Sequence, residues 1–381
     1  MNRTIYEPEH EQWRESVRTF FEREVTPNYA QWVEEGMVPR SFFTKTSQLG
    51  LFSSAPEEFG GAGLNDFRYS SIFLEEAAKV DVAPAVTGVS LHADICLPYF
   101  LSLCNDEQKA RWLPGIVSGE LITAIAMTEP GTGSDLSAIS TSAVLDHDEY
   151  VVNGAKTYIT NGIHADLVIV VARTGEHPHR GLSLLVCERG TKGFDRGRKL
   201  EKVGMHVQDT AELFFSDARV PAANLLGIEG EGFFNLTLNL GQERLQIAIT
   251  SVAQAQSALE HTIDYVRERI VFGKPLANMQ NTRFKLAEMA TEIDIAQQFV
   301  DRCILELNSS TLDAIDAAKA KWWTTELLGR VVDACVQLHG GNGFMLEYPI
   351  ARLYIDARAS RIYGGTTEVM KEIIARGLKL D

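Results

Sequence analysis

Apolar side chains recur at helical spacing through the first part of the chain. The first such face holds Trp13, Val17 and Phe21, and Pro27 interrupts its continuation. The same periodicity returns over 67–80 and 108–117. We therefore predict that residues 7 to about 118 are mainly helical.

The pattern changes from Leu121 onward. Short apolar or alternating runs, separated by Gly, Asn, Asp and Pro, replace the helical periodicity. These runs are Leu121–Met127, Tyr150–Val152, Leu167–Ala172, Leu182–Cys187 and Ala211–Phe215. Several short strands with turn signals between them predict a compact β domain.

Long helical periodicity resumes after the glycine-containing turn at 227–230. It covers Gly232–Arg269, Thr282–Leu307 and Leu312–Leu338. The expected order is α, then β, then α, with an N-terminal domain over 1–120, a middle domain over 121–230 and a C-terminal domain over 231–381.

Charge excludes one class of function. The 381 residues contain 36 Lys and Arg against 51 Asp and Glu, a net charge of −15. Residues 231–381 alone hold 16 basic and 19 acidic side chains, so no basic half is hidden there. A protein that clamps a nucleic-acid backbone needs a cationic surface, so we expect no nucleic-acid partner.

The cysteines and the apolar runs indicate the cellular compartment in which we expect the protein. The five cysteines are odd in number and never spaced as C-x-x-C, which fits neither a zinc site nor a disulfide framework. The first fifteen residues lack the apolar core of a signal peptide, and we see no apolar run near the ~20 residues of a spanning helix. We expect a cytoplasmic protein with no bound metal and no membrane partner.

A glycine-rich turn follows the first predicted strand, at Ala126–Asp135. Its glycines let backbone N–H groups approach a ligand, and its hydroxyls can bind polar ring edges or phosphates. Gly131-x-Gly133 is not a dinucleotide fingerprint, because Leu136 replaces the third glycine and no βαβ unit follows. A plain hairpin turn explains the segment equally well.

A second segment, Lys156–Gly162, places Tyr158 among small polar residues near a predicted strand end. The ring could form a wall for a planar ligand. A strand leading into an Asn-Gly turn has the same appearance.

Glu243 interrupts an apolar stripe on the first long helix. Leu236, Leu240, Glu243 and Ile247 follow one another at steps of four, three and four and so share a face. A buried carboxylate there is costly unless it is paired or functional, and burial would raise its pKa toward that of a useful proton acceptor. Pairing with a cation in the core is the structural alternative.

Two glycine-containing loops complete the candidate chemistry, at Gln337–Gly343 and Ile362–Glu368. Thr366 or Thr367 could cap the last helix, whose N-terminal amides favour anions. We interpret His339 as structural rather than as a base. The chain contains neither an H-E-x-x-H nor a G-x-S-x-G pattern, so protease and hydrolase readings have no support.

Taken in order, these segments resemble the acyl-CoA dehydrogenase family over essentially the whole chain. Ala126–Asp135 is similar to the family's first signature, and Tyr265-x-x-x-Arg269-x-x-Phe272-Gly273 with Gln280 to its C-terminal flavin pattern. The resemblance implies an α+β multidomain fold with an N-terminal α-helical domain, a middle β-barrel or sandwich domain and a C-terminal four-helix bundle.

The resemblance also implies where the base lies. Medium- and short-chain members carry it in a Tyr-Glu-Gly-Thr loop, but here Gly364 stands in that place. Long-chain and isovaleryl-type members carry it on the long helix in a Glu-Arg pair, which here is Glu243-Arg244. Tyr158 replaces the Trp common in the family.

By this resemblance the protein binds FAD and converts an acyl-CoA to the trans-2-enoyl-CoA. Glu243 would be catalytic, removing the pro-R α-proton, and the Gly364 N–H would stabilise charge on the thioester carbonyl. The implied FAD contacts are Ile125, Met127, Thr128, Gly133, Ser134, Tyr158, Ile159, Thr160, Thr366, Thr367 and Glu368, with Arg269, Phe272, Gln280, Gln337, Leu338, His339, Gly340 and Gly341 from a neighbouring subunit. The implied acyl-CoA contacts are Ser134, Phe234, Gly241, Arg244, Gly364 and Gly365.

The family's usual oxidant is an electron-transferring flavoprotein, and its usual assembly is a homotetramer, a dimer of dimers. The expected role is degradation of a fatty, branched or terpenoid acyl-CoA. Two alternatives remain open: an acyl-CoA oxidase, whose chains are usually much longer, and a non-catalytic flavoprotein of this fold that binds nucleic acid.

Overall fold

The structure is a computed structural model that describes residues 3–379. Its N-terminal part is helical, as the periodicity predicts. The helices are α1 (Pro8–Phe20), α2 (Tyr29–Glu35), α3 (Ser41–Leu49), α4 (Phe67–Lys79), α5 (Ala83–Ser90), α6 (Leu97–Leu103) and α7 (Asp106–Val117).

A π-helical segment, Leu91–Cys96, joins α5 and α6 into one 21-residue helical stretch. By length and composition this stretch could cross a membrane, with a mean hydropathy of 1.3, so the expectation that no apolar run approaches that length is wrong. However, 61% of the apolar window is buried inside the protein, and His92 and Asp94 are among its buried residues. We interpret it as a core helix.

The middle part is a sheet. Its strands are β1 (Thr123–Ala126), β2 (Ser142–Asp146), β3 (Glu149–Thr160), β4 (Leu167–Arg173), β5 (Leu182–Glu188), β6 (Phe194–Lys199), β7 (Thr210–Pro221) and β8 (Leu225–Leu226). The strand order is β6-β7-β3-β2-β4-β5-β8, and β1 adds to β4 in parallel. The glycine-rich turn after β1 leads into a single 3-10 turn, Leu136–Ala138, as expected for a segment that is not a dinucleotide fingerprint.

The C-terminal part is again helical. It comprises α8 (Gly232–Glu268), a small hairpin of β9 (Ile270–Val271) and β10 (Lys274–Pro275), then α9 (Gln280–Asn308), α10 (Ala314–His339), α11 (Pro349–Ala357) and α12 (Thr367–Gly377). α8 packs against α9, α10 and α11 and also against α4 of the N-terminal part. The helix that carries Glu243 therefore lies at the centre of the molecule.

Candidate active site

Glu243 is buried in α8, with 4% of its surface exposed. The Tyr99 hydroxyl, from α6, donates a hydrogen bond to Glu243 Oε1 over 3.2 Å. Among residues 3–379 no cation lies within ion-pair distance of this carboxylate. The alternative in which Glu243 pairs with a core cation therefore has no support from the geometry.

Burial raises the pKa of Glu243 to about 7, against the opposing effects of the Tyr99 hydrogen bond and the positive charge of Arg244. A carboxylate with a pKa near neutrality can accept a proton and later release it at physiological pH. The burial and the raised pKa are those that a general base requires.

Arg244 is also buried, and its Nε has no hydrogen-bond acceptor. Burial lowers the pKa of this guanidinium, while the neighbouring Glu243 raises it. An unsatisfied buried donor is unfavourable in the free protein, so the site is incomplete without a ligand that accepts from it.

The loop before α12 closes over the same face of α8. Gly364 and Gly365 both adopt left-handed backbone conformations, with φ of 64° and 91°. A Cβ placed on Gly364 would lie 2.3 Å from Ile247 Cδ1, one turn along α8 from Glu243. The loop therefore passes too close to α8 for any side chain without rearrangement.

The π-helical segment connects α8 to the sheet. Gln242, beside the base, donates to the Asp94 carbonyl over 2.7 Å, and His92 Nδ1 lies 2.8 Å from the Thr123 hydroxyl in β1. π-helical turns within α-helices are frequent at functional sites. Through this segment the helix of Glu243 is tied to the first residue of β1, the strand that leads into the glycine-rich turn.

Two predicted segments of the middle domain meet directly. The Thr157 N–H donates to the Thr128 carbonyl, and Lys156 Nζ donates to the Met127 carbonyl and to Glu129 Oε1. Although burial opposes it, the hydrogen bonds from Lys156 and its neighbours hold the pKa of Glu129 at about 2. This buried ion pair fixes the glycine-rich turn against β3.

Tyr158 projects outward because β3 bulges there. The pairing of β3 with β7 shifts register between Lys156 and Ile159, and Tyr158 itself has a φ of 60°. A left-handed tyrosine is uncommon and signals a constraint at a functional position. The ring is 68% exposed beside the glycine-rich turn, as a wall for a planar ligand would be.

The residues of this surface fit a flavin cofactor. A Cβ on Gly131 would meet nothing within 4 Å, so the space in front of the turn is open. The Ser134 hydroxyl is exposed, and the Thr160 hydroxyl accepts from Gln208 over 2.9 Å and can still donate. Ile125 and Ile159 are buried beneath, and Met127 and Thr128 are partly exposed.

The predicted acyl-CoA contacts on α8 lie along one side near its start. Phe234 is 59% exposed, and a Cβ on Gly241 would meet nothing within 4 Å. Of the last-loop residues, Thr366 caps α12 and accepts from the Val369 N–H, while the Thr367 hydroxyl donates to Glu326 over 2.7 Å. Glu368 is exposed in the first turn of α12.

The second group of predicted cofactor residues lies elsewhere. Arg269 follows the last residue of α8, which at 1.5 Å per residue places it about 39 Å from Glu243 along the helix axis. The Tyr265 hydroxyl donates to the His339 carbonyl, which brings the end of α10 to the same place. The full group at this end is Arg269, Phe272, Gln280, Gln337, Leu338, His339, Gly340 and Gly341.

His339 is structural in this chain, as we interpreted it from the sequence. Its ring is buried and stacked on Tyr265 with centroids 4.2 Å apart, and Nδ1 donates to the Cys335 carbonyl. Burial lowers its pKa. Its neighbours Gln337, Gly340 and Gly341 are exposed, and Phe272 is 97% exposed.

Sequence reasoning missed Tyr99, the Lys156–Glu129 pair and Lys321. Lys321 lies on α10, fully buried, with its ammonium on the Gly365 carbonyl. The signal that identifies Glu243, a charge within an apolar helix face, is also present at Lys321 and could have found it. Tyr99 gives no such signal, because a tyrosine in an apolar helix is ordinary.

One cluster has the residue types of a metal site. Glu7, Glu9 and His10 bring their ligand atoms within 4.8 Å of one another. His10 Nδ1 already accepts from the Glu7 N–H, and Nε2 is within hydrogen-bond distance of Asp66. The cluster therefore acts as a helix cap.

Three family models together match most of the chain. They are the acyl-CoA dehydrogenase N-terminal domain over 7–120, the middle domain over 124–218 and the C-terminal domain over 230–379.

Known proteins agree over nearly the full length. A long-chain specific acyl-CoA dehydrogenase, mitochondrial, from Sus scrofa is 45% identical, covering 100% of this chain and 88% of the relative. A crystal structure of an acyl-CoA dehydrogenase from Geobacillus kaustophilus is 52% identical with a TM-score of 0.96, covering 98% and 99%. A glutaryl-CoA dehydrogenase from Mycobacterium smegmatis in complex with FADH2 is 26% identical with a TM-score of 0.92, covering 99% and 96%.

Identity at this level over the whole chain settles the family and the class of reaction. The chain belongs to the acyl-CoA dehydrogenase family and is an oxidoreductase of fatty-acyl-CoA dehydrogenation.

Proposed function

We propose that this enzyme is an FAD-dependent dehydrogenase that introduces a trans double bond between the α and β carbons of an acyl-CoA, with Glu243 as the base. The observation that carries the proposal is a buried carboxylate with a pKa near 7 and no ion-pair partner among residues 3–379, one turn along α8 from the Ile247 side chain on which the Gly364 loop packs.

Glu243 accepts the α-proton of the bound thioester. As the α C–H bond breaks, its electron pair moves toward the carbonyl, so negative charge grows on the thioester oxygen. The Gly364 N–H would donate to that oxygen, and a preorganised donor stabilises charge at its point of formation. Arg244, whose Nε has no acceptor, contributes positive charge beside the base.

FAD, when bound, takes the β-hydrogen as a hydride; the protein's part is to hold and orient it. Met127, Thr128, Ser134, Tyr158 and Thr160 would hold the flavin from the middle domain. The exposed aromatic ring, the free hydroxyls and the open glycine turn support this assignment.

The 39 Å separation within one chain supports a homotetramer built as a dimer of dimers. Arg269, Phe272, Gln280 and the Gln337–Gly341 loop would contact the FAD of a neighbouring subunit. Exposed apolar side chains at the same end, Phe272, Phe344 and Leu346, are suited to burial between subunits.

We further propose an electron-transferring flavoprotein as the oxidant and a cytoplasmic location. Five buried free cysteines support a reducing compartment. Anaerobic mixing with purified electron-transferring flavoprotein should restore oxidised flavin after substrate reduction, whereas rapid reoxidation by oxygen alone would favour an oxidase.

Loss of the flavin's visible absorbance on anaerobic mixing with acyl-CoAs tests the proposal and the substrate together. The protein should purify yellow with one FAD per subunit, and a series of straight and branched acyl-CoAs should bleach it at rates that identify the preferred chain. A colourless protein that cannot be reconstituted with FAD would contradict the proposal.

A further inference from the structure

Lys321 is a fully buried lysine that no part of the proposed chemistry yet uses. It lies on α10 with 0% of its surface exposed, and its Nζ donates to the Gly365 carbonyl over 2.6 Å. Among residues 3–379 this carbonyl is its one hydrogen-bond acceptor, and no carboxylate lies within 4 Å of the ammonium.

Such a lysine is costly to bury. Desolvation, together with the positive charge of Arg244 on α8, lowers the pKa of Lys321 to about 8. Glu326 on α10 and Glu368 on α12 oppose these effects from a distance, but Glu326 already accepts hydrogen bonds from Thr367 and Arg361. An incompletely neutralised buried cation is retained only where something compensates for it.

The Gly364–Gly365 loop, whose carbonyl accepts from Lys321, packs against α8 one turn from Glu243. Gly364 and Gly365 are in left-handed conformations, between Ile247 of α8 and Met370 of α12. The direction of the Gly364 N–H depends on the peptide planes of this turn. An ammonium bound to the Gly365 carbonyl fixes the Gly365–Thr366 peptide plane, two planes after the one that carries the Gly364 N–H.

The positive charges of Lys321 and Arg244 also act together on the reaction. Arg244 acts on the neighbouring Glu243, Lys321 lies close enough to Arg244 to feel its charge, and neither cation forms an ion pair among the described residues. When Glu243 takes a proton it becomes neutral, so Arg244 loses its nearest negative charge while a new negative charge forms on the substrate. Their effect is therefore largest when the enolate has formed.

We propose that Lys321 is a positioning residue of the reaction, whose ammonium orients the Gly364–Gly365 turn and whose charge favours the thioester enolate. This inference rests on the proposed function. The step is loss of the α-proton to a Glu243 oxygen, with the electron pair of the α C–H bond delocalised onto the thioester oxygen.

Lys321→Met separates this role from a structural one. Methionine fills a similar volume without charge, and replacing a buried ion by an apolar residue is often neutral or stabilising. We expect an unchanged or higher melting temperature and unchanged FAD content. A residue kept for stability alone would show the opposite.

The decisive probe is an acyl-CoA whose β-methylene is replaced by sulfur. It can lose its α-proton but has no β-hydrogen to give as a hydride, so it stops at the enolate. Absorbance titration of the bound analogue against pH reports enolate formation in the holoenzyme without turnover. The groups facing that equilibrium are Glu243, Tyr99, Arg244 and Cys96, and Lys321 acts on it from behind the Gly365 carbonyl.

In Lys321→Met the apparent pKa of the bound analogue should rise by about one unit or more. At a fixed pH below that pKa, this corresponds to a roughly tenfold loss of enolate. With a true substrate, kcat should fall about tenfold and KM should change little, since the interaction strengthens as charge develops. Lys321→Gln keeps a hydrogen-bond donor without the charge and should shift the apparent pKa of the bound analogue less. It also tests the inference if the methionine variant does not accumulate as folded protein.

Lys319→Met is the matched control. It removes the same charge from the same helix, but Lys319 is 45% exposed and pairs with Asp316. It should leave the titration unchanged. Wild-type protein that forms the enolate together with a Lys321→Met variant of the same apparent pKa would overturn this inference alone. Wild-type protein that neither forms the enolate nor bleaches with acyl-CoA would overturn the proposed function as well.

Discussion

The two ends of α8 differ in almost every physical respect. Near its start, Glu243 and Arg244 are buried, and the groups around them come from α6, α10 and the last loop of the same chain. At its other end, Arg269 has no acceptor among the described residues, and Phe272 is 97% exposed with a φ of 48°. The groups around the first end come from this one chain, whereas the second end presents a guanidinium and an aromatic ring to solvent.

The buried end of α8 is suited to proton transfer, and the exposed end is suited to contact with another subunit. Proton abstraction needs a carboxylate withdrawn from water, because desolvation supplies the raised pKa. Cofactor capture by a neighbouring subunit needs the reverse, namely exposed donors and aromatic rings. We expect substitutions at the first end to change rates with FAD still bound, and substitutions at the second to change FAD affinity and assembly with the base intact.

The largest effect should follow from Glu243→Gln. The amide keeps the shape and can still accept from Tyr99, but it cannot take the α-proton. FAD and acyl-CoA should still bind, while flavin reduction slows by more than the ~10²–10⁴ typical of acid–base assistance, since hydride departure depends on proton removal. Stopped-flow bleaching measures the rate, and near-normal reduction would remove Glu243 from the mechanism.

A carboxylate supplied from the loop should restore part of that loss. The change is Gly364→Glu in the Glu243→Gln protein, and the structure shows what opposes it: a φ of 64° and a Cβ position 2.3 Å from Ile247 Cδ1. The strain is of order 1–3 kcal/mol, so we expect only about a tenfold gain in the bleaching rate. Ile247→Val removes the Cδ1 atom and should increase the rescue; no gain with either background would place position 364 away from the α-carbon.

The sequence predicted the buried end of α8 well because the signals that mark it are local in sequence. The periodicity of α8 gave Gly232–Arg269 where the helix is Gly232–Glu268, and a charge on an apolar face is visible without a structure. The partner Tyr99 was not predictable, because its contact with Glu243 joins residues 144 positions apart. The resemblance named the exposed end, and the length of α8 places it about 39 Å from Glu243 along the helix axis.

The sheet shows the limit of pattern reading. Strand β6 (Phe194–Lys199) was missed because it is an edge strand with mostly polar side chains. Strand β2 was also missed. Its apolar residues Val144 and Leu145 are adjacent in sequence and both exposed, so the strand lacks the alternation of apolar and polar residues that marks a half-buried strand. Burial in these strands is set by neighbours distant in sequence.

An intermediate effect is expected at the exposed end. Arg269→Ala and Phe272→Ala should each weaken FAD binding about tenfold to hundredfold and reduce the tetramer fraction, since exposed Arg and aromatic side chains dominate such contacts. Activity should return when FAD is added in excess, because the base is untouched. Calorimetry and light scattering measure both quantities.

Arg267→Ala is the control for that end of α8. Arg267 is exposed and forms only an i,i+3 pair with Asp264, so it should leave FAD affinity and assembly unchanged. Equal FAD affinities in the Arg269 variant and the wild type would show that this end does not contact the cofactor.

The smallest effect should come from Tyr99→Phe, which keeps the ring and removes one hydrogen bond at the buried end. That bond favours the charged form of Glu243, so its loss should raise the pKa of the carboxyl above about 7. The remaining groups that face it are Arg244 on α8 and Cys96 on the π-helical segment. A higher pKa means less ionised base at neutral pH, so bleaching should slow by about fivefold at pH 7 for a shift of one unit and recover as the pH rises. The measurement is the pH dependence of the reduction rate, with the exposed Tyr354→Phe as control. A uniform loss at every pH would mean that Tyr99 aligns the carboxylate without setting its ionisation, and an unchanged profile would mean that desolvation alone sets the pKa of the base.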